Sequence, residues 1–576
     1  MEKSLNDKNL TRRGFLKLSA LGTAALWVSP EDVVALHKRG RRAVSHPLPA
    51  ASVETVVFNR LGFGPRPGDL QEFHRLGPTS RIRLEKYSEF QLHPSSIDDS
   101  ACESKLAALN LSTLKKPLRQ LWNDHFVVPA AMRAEQDKLP QPSPLPSLAP
   151  KAAPKPDPSR DLTLEPVRQT EIATWMRIIY SRRQLQEVLA DFWHNHFNVF
   201  GWDTQISPVF VHYDRDVIRT HMMGNFRELL EAVATSPAML FYLDNFVNQS
   251  GNPNENYARE LFELHTLGAE NYLGTRDRNL APGYASGQPI GYVDGDVYEA
   301  SRCFTGWRVE SGSSTANTGE FAYFEPWHDR FQKIVLGRSL KEYQPPMKDG
   351  RDVLDLLAAH PGTARFLARK ICRRLVCDDP PASLVAQVAS VFHEERKSPD
   401  QLRRVVRTVI LSPEFASSWG TKLKRPIEAA ASMIRATEAE FVPSEGFFNQ
   451  QGRAGQRLFQ WHSPDGYPDT HGRWTSTTSF VERWRFCNLL VNNQIPGVKA
   501  DLAGKTPSGL RNAASVVQFL SDRLLGYSME PRSLLRITSF LGDDWPDSPV
   551  AVPGYLRSRV PATAALILMS PEFQRK

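Results

Sequence analysis

From Glu171 onward the apolar residues return at the helical period, and that repeat restricts the chain to a mainly α fold. Leu185, Val188, Leu189, Phe192 and His196 fall at i, i+3, i+4, i+7 and beyond, forming one stripe that faces a core. Phe226 to Leu243 and Asn256 to Leu267 repeat the habit. Ser236-Pro237, Ser412-Pro413, Ser570-Pro571 and His360-Pro361 followed by Thr363 read as helix starts. Proline at the first helical position loses a donor that would have no partner there, and a serine before it can cap the exposed N–H groups. Val409 to Phe415 and Ile567 to Phe573 echo each other as helix end, tight turn and new helix, two copies being too few for a solenoid. Gly291 to Gly337, rich in Gly, Ser, Thr and aromatics, is expected to hold loops and a short hairpin.

Eight prolines between Pro140 and Pro158 exclude a helix or central strand over 137–160. Such a stretch is an extended, solvated excursion, either a linker or an inserted loop. Periodic segments on both sides favour the loop. With 576 residues the chain can fill one large domain or two to four ordinary ones.

Thr11-Arg12-Arg13-Gly14-Phe15-Leu16-Lys17 and the apolar stretch Leu18 to Val28 make a twin-arginine export pattern. The stretch is too short and too rich in Ala, Gly and Ser to span a membrane, so residues 1–35 are expected to be a signal peptide cleaved after Val33-Val34-Ala35. The mature protein is therefore expected in the periplasm or outside the cell. This route carries proteins already folded, often with a metal or cofactor in place. No later apolar run reaches the roughly twenty residues of a membrane span.

The net charge of +8 is mild for this length, and the basic residues are scattered through helical segments, so no nucleic-acid partner is expected. The five cysteines, Cys102, Cys303, Cys372, Cys377 and Cys487, are odd in number and form no Cys-x-x-Cys pair. One disulfide is compatible with them; a zinc knuckle or disulfide framework is not.

Two segments concentrate groups able to do chemistry. In Phe192-Trp193-His194-Asn195-His196-Phe197, His196 lies on the apolar face, while His194 lies roughly 200° away beside Asp191. The two imidazoles can share an ion only if the helix ends near Asn195. Otherwise His196 is a core histidine and His194 a surface one. In the second segment, Asn256, Glu260 and Glu263 form one polar stripe. Paired carboxylates suit either a hard cation or general acid/base work. Glu255, Arg259 and Glu263, four apart, would make an ordinary ion-pair ladder, leaving Glu260 unexplained. His328-Asp329 could close a site from the loops. Asp294-Gly295-Asp296 is a calcium-loop fragment without the rest of that pattern, so it reads as a turn. No nucleophile elbow, phosphate loop or His-Glu-x-x-His is present.

The chain resembles the exported bacterial family called domain of unknown function 1800, from about residue 55 to the end of the sequence. The resemblance rests on Asn59-Arg60-Leu61-Gly62-Phe63-Gly64, on Trp193 to Phe197 and on Pro253 through Gly268. Phe304-Thr305-Gly306-Trp307, His328-Asp329, His360 to Phe366, Gly466-Tyr467-Pro468-Asp469 with Trp474, and Ser570 to Phe573 complete it. It implies twin-arginine export and a single helical domain over 52–576 interrupted by the Pro-rich loop. It implies an exported protein as partner and supplies no activity. Two readings follow. In the first, the protein is a hydrolase or oxidoreductase with a divalent metal or a carboxylate/histidine centre. Glu260 and His196 would be catalytic, and His194, His196, Glu260, Glu263, His328 and Asp329 would be metal ligands. In the second, it is a non-catalytic scaffold or binding module whose charged motifs are buried ion pairs.

Overall fold

In the computed structural model, residues 51–138, 157–286, 289–312, 316–510, 512–542 and 553–576 are described. The expected signal peptide over 1–35 and most of the Pro-rich segment 137–160 lie outside them. Pro158 itself opens the helix Pro158–Tyr180, with Asp157 accepting from the Ser159 and Arg160 N–H groups. The helix therefore begins well before Glu171, because a proline at its first position is tolerated once the preceding residue caps it.

The helical periodicity is realised almost throughout, and the chain is mostly α. Within Gln184–His196 the stripe Leu185, Val188, Leu189, Phe192 and His196 is buried in full. Prolines 237, 361, 413 and 571 all open helices. Their caps differ: Ser412 Oγ accepts from Phe415 N–H at 3.2 Å, and His360 Nδ1 accepts from Gly362 N–H at 2.9 Å. The hydroxyls of Ser236 and Ser570 are buried without a partner among the described residues, so there proline sets the start with no side-chain cap.

Over 291–337 the hairpin is Trp307–Ser311 against Asn317–Tyr323, with Trp307 opposite Tyr323. A second small pair, Lys333–Val335 with Arg338–Leu340, follows it. Asp294 and Asp296 form neither a turn nor a calcium loop. They open the helix Asp294–Cys303, where Asp296 accepts from Val293 N–H and Leu336 N–H. Among the described residues none of the five cysteines is joined in a disulfide, and four of them are buried. Among the described residues, no helix is long and apolar enough to cross a membrane.

The chain forms two compact units, each discontinuous in sequence. Of the described residues, the first takes 51–84, Ser417–Gly455 and those within His471–Lys576. At its centre Pro426–Thr437 is buried on every side, as a helix inside a core must be. Its charges are paired: Glu428 meets Arg425 and the Lys576 ammonium at 3.1 and 2.8 Å, and Arg435 Nε donates to the Gly64 carbonyl. Gly64 has φ +91°, and a Cβ there would lie 2.8 Å from Ser432, so the Asn59–Gly64 motif serves close packing. The second unit takes Glu85–Ala416 and Gln456–Thr470, and holds every residue singled out above as a candidate for chemistry.

Candidate functional site

His194 and His196 leave the end of Gln184–His196 in different directions, as their spacing requires. His194 Nε2 lies 2.9 Å from Asp214 Oδ1. Asp214 sits on a π-helical turn, Tyr213–Ile218, and also takes Arg219 Nε at 2.9 and 3.0 Å. The Nη atoms of Arg219 reach both oxygens of Glu187 at 2.9 Å. Burial alone would raise the Asp214 carboxyl, but Arg219 and His194 hold it well below the usual range. His194 is thus hydrogen-bonded to one end of a buried ion-pair network, not a surface residue.

His196 is a core histidine. It is 1% exposed, and its Nε2 donates to the His265 carbonyl at 3.1 Å. Its Nδ1 has no partner among the described residues and is enclosed with the rings of Phe192, Trp193 and Phe197. Burial pushes its pKa well below the ordinary value, and that of His265 down to about 3. Both rings therefore stay neutral. The catalytic and ligand roles expected of His196 are not served by a nitrogen sealed against solvent.

His328 and Asp329 belong to a third closed group. Asp329 is held by Arg302 at 2.8 and 3.1 Å. His328 Nε2 lies 3.2 Å from Asp349, which also takes the fully buried Lys333 ammonium at 2.6 Å. Every candidate acid in this group already has its cation. Among the described residues no three His, Cys, Asp or Glu side chains gather as metal ligands. His194, His196, Glu260, Glu263, His328 and Asp329 are accordingly not brought to one point.

The two glutamates differ from all of these. The helix Asn256–Glu260 runs directly into a π-helical turn, Leu261–Thr266, closed by Leu267 N–H to the Phe262 carbonyl. That i→i+5 bond inserts a residue into the turn, so positions four apart no longer stack across it. The ladder consequently forms by half. Arg259 meets Glu255 at 3.0 Å, then turns to Asp294 at 3.2 Å instead of Glu263. Glu260 and Glu263 are half-buried, and no hydrogen bond or ion pair holds either carboxylate among the described residues. Burial, with Glu263 and Asp465 nearby and Arg259 opposing, pushes Glu260 up to about 7. This is desolvation reinforced by like charge.

Asp465 is a member of the site that the sequence did not disclose. It lies on the segment Gln456–Thr470, which folds back against the end of Gln184–His196. Asn198 Nδ2 donates to the Trp461 and Ser463 carbonyls at 3.0 and 2.8 Å, and Asn195 Oδ1 accepts from Tyr467 N–H at 3.1 Å. Gly466 has φ +73°, and a Cβ there would lie 2.1 Å from the Asn195 carbonyl. Trp461 Nε1 donates to Asp465 Oδ1 at 2.8 Å and so orients that carboxylate. Asp191 and Asp469 flank Arg374 at 2.6 and 3.5 Å. Lys370, one helical turn before Arg374, feels Asp469 and Asp465. Burial outweighs them and brings its amine down to about 8. Tyr292, whose buried hydroxyl has no partner among the described residues, is pushed up by burial and by Glu263. The arrangement can accept, hold and return a proton at Glu260 near neutral pH.

A family model described as "Protein of unknown function (DUF1800)" matches residues 56–575. No match to the chain was found among curated proteins or among solved structures.

Proposed function

The chain belongs to the DUF1800 family, and from that premise we propose that it is an exported enzyme whose proton-transfer group is Glu260. Burial, reinforced by the Glu263 and Asp465 carboxylates, keeps its proton affinity near neutrality. The single observation that carries this reading is a half-buried carboxyl beside a second carboxyl, neither of them held in an ion pair among the described residues. A charged group placed only for stability would be paired, as Asp214, Asp329 and Asp349 are. A general acid/base works best when its pKa lies near the operating pH, and burial with like-charge neighbours is a physical route to that value. In its carboxylate form Glu260 takes a proton from water or a substrate hydroxyl, and in its acid form it protonates a leaving group. The reaction class is hydrolysis by general acid/base catalysis in the periplasm or outside the cell.

The scaffold reading draws support from the ion-pair networks around Arg219, Arg302 and Arg374, which fix helix packing without any chemistry. Turnover distinguishes the two readings. Purified protein would be screened at pH 5–9 against chromogenic glycosides, esters and peptides, with Glu260→Gln and Glu263→Gln in parallel. The enzyme reading expects turnover with an apparent pKa near 7, reduced about 10²–10⁴-fold in Glu260→Gln, and a profile displaced to lower pH in Glu263→Gln. Turnover unchanged in Glu260→Gln, or none with any substrate class, would leave the scaffold reading.

A further inference from the structure

We propose that the groove between the helices Pro361–Leu375 and Ala382–Glu394 docks an acidic amphipathic helix of a partner protein. The groove has a volume of about 770 Å³ and lies within one compact unit. One wall carries Arg365, Arg369 and Arg373, each four residues from the next and therefore on one face of their helix. The floor is apolar and low: Ala364 and Val385 are buried there, and Ala386 and Ala389 stand open or half-open. Asp379 is the one acid among the lining residues.

Like charges four apart on a helix repel one another, so this stripe does not serve the helix that carries it. Nor does the rest of the unit use it up. Arg365 is exposed and has no hydrogen bond or ion pair among the described residues. Arg369 meets Glu270 through Nη1 at 2.9 Å, with both side chains about two-fifths exposed. Arg373 spends only Nε, on the Asp378 carbonyl at 2.9 Å. Most of the guanidinium donors remain open, and a guanidinium fork matches a carboxylate in two parallel hydrogen bonds. The Arg369–Glu270 ion pair already sets one carboxylate against the stripe.

The geometry selects the form of the partner. Four residues of helix rise about 6 Å, so the three guanidinium groups repeat at about 6 Å along some 12 Å of groove. Carboxylates four apart on a partner helix repeat at the same distance, so the charges stay in register along its length. Turned toward the arginines, such a helix lays its apolar stripe on a floor where alanines permit close approach. The inference does not depend on the role given to Glu260.

The probe is a fluorescein-labelled, side-chain-stapled 15-residue peptide with Glu at three positions four apart and Leu on the neighbouring stripe. Its anisotropy would be measured against the full chain in 50 and 300 mM NaCl. Saturable binding is expected, at least tenfold weaker in the Arg365→Glu/Arg373→Glu double variant and weaker at the higher salt. A peptide with Lys for Glu should not bind. Ala386→Trp, which fills the open floor and leaves every charge, should also reduce affinity at least tenfold. No saturable binding by the wild-type chain, or affinity unchanged in the double variant, would overturn the proposal. So would affinity unchanged by Ala386→Trp, or equally effective competition by inorganic pyrophosphate, either of which makes the stripe a general anion site.

Discussion

Replacing Glu260 with Gln is expected to stabilise the protein above pH 7 and to leave its stability unchanged near pH 4. The sign follows from the direction of the shift. Burial and Glu263 raise the carboxyl from the usual 4.5 to about 7 in the folded chain, so the fold favours the protonated form. That preference contributes stability below pH 4.5, and the contribution is lost as the pH rises to 7. Above that, the folded protein must hold a charge it disfavours, and the neutral Gln removes it. Since each pH unit of displacement corresponds to about 1.4 kcal/mol, a dry site would give no more than about 3.5 kcal/mol. Glu260 is only half-buried, and solvent screening reduces this to roughly 1–2 kcal/mol. For a unit of this size the rise in Tm is about 1–3 °C. Urea and thermal unfolding of both proteins at pH 4, 5.5, 7 and 8.5 would measure it. Equal stability at every pH, or a uniform loss in the variant, would refute the reasoning, because either result means that Glu260 ionises without penalty.

Other perturbations test the surrounding structure. Arg219→Met strips the cation from Asp214 and Glu187, both buried, and is expected to cost about 3–5 kcal/mol in urea unfolding. Gly466→Ala places a methyl against the Asn195 carbonyl at a positive φ, so a loss of about 1–3 kcal/mol is expected. Faster limited proteolysis within Gln456–Thr470 would show that this segment is what moves. Burial pushes the Cys102 and Cys372 thiols up to about 12 and also raises Cys303 and Cys487, whereas Cys377 is half-buried. A thiol reagent should therefore modify one cysteine in the native protein and all five after denaturation.

The periodic stripe of Gln184–His196 was legible because each of its residues reports the same face, and the neutral, buried His196 follows from membership of that stripe. The π-helical turn at Leu261 was not, since an i→i+5 bond adds one residue without disturbing a pattern that already tolerates spacings of three and four. That single insertion turns Arg259 from Glu263 to Asp294 and leaves Glu263 without its ladder partner. Glu260 stood out in the sequence as the acid lacking a ladder partner, and it keeps that character in the fold. Asp465 gave no local signal, because its place beside Glu260 depends on Asn195 and Asn198 fastening a segment more than two hundred residues further along the chain. The partners of His194, His328 and Asp329 were hidden in the same way. Asp214, Asp349 and Arg302 are distant in sequence, and no periodicity names them.

The direct measurement is an isotope-edited infrared titration of glutamate carboxyls in the folded protein, taken as wild type minus Glu260→Gln. A carboxyl that gains and loses its proton at about pH 7, moving lower in Glu263→Gln, is the predicted result. A difference band titrating near 4.5, indifferent to Glu263, would contradict it.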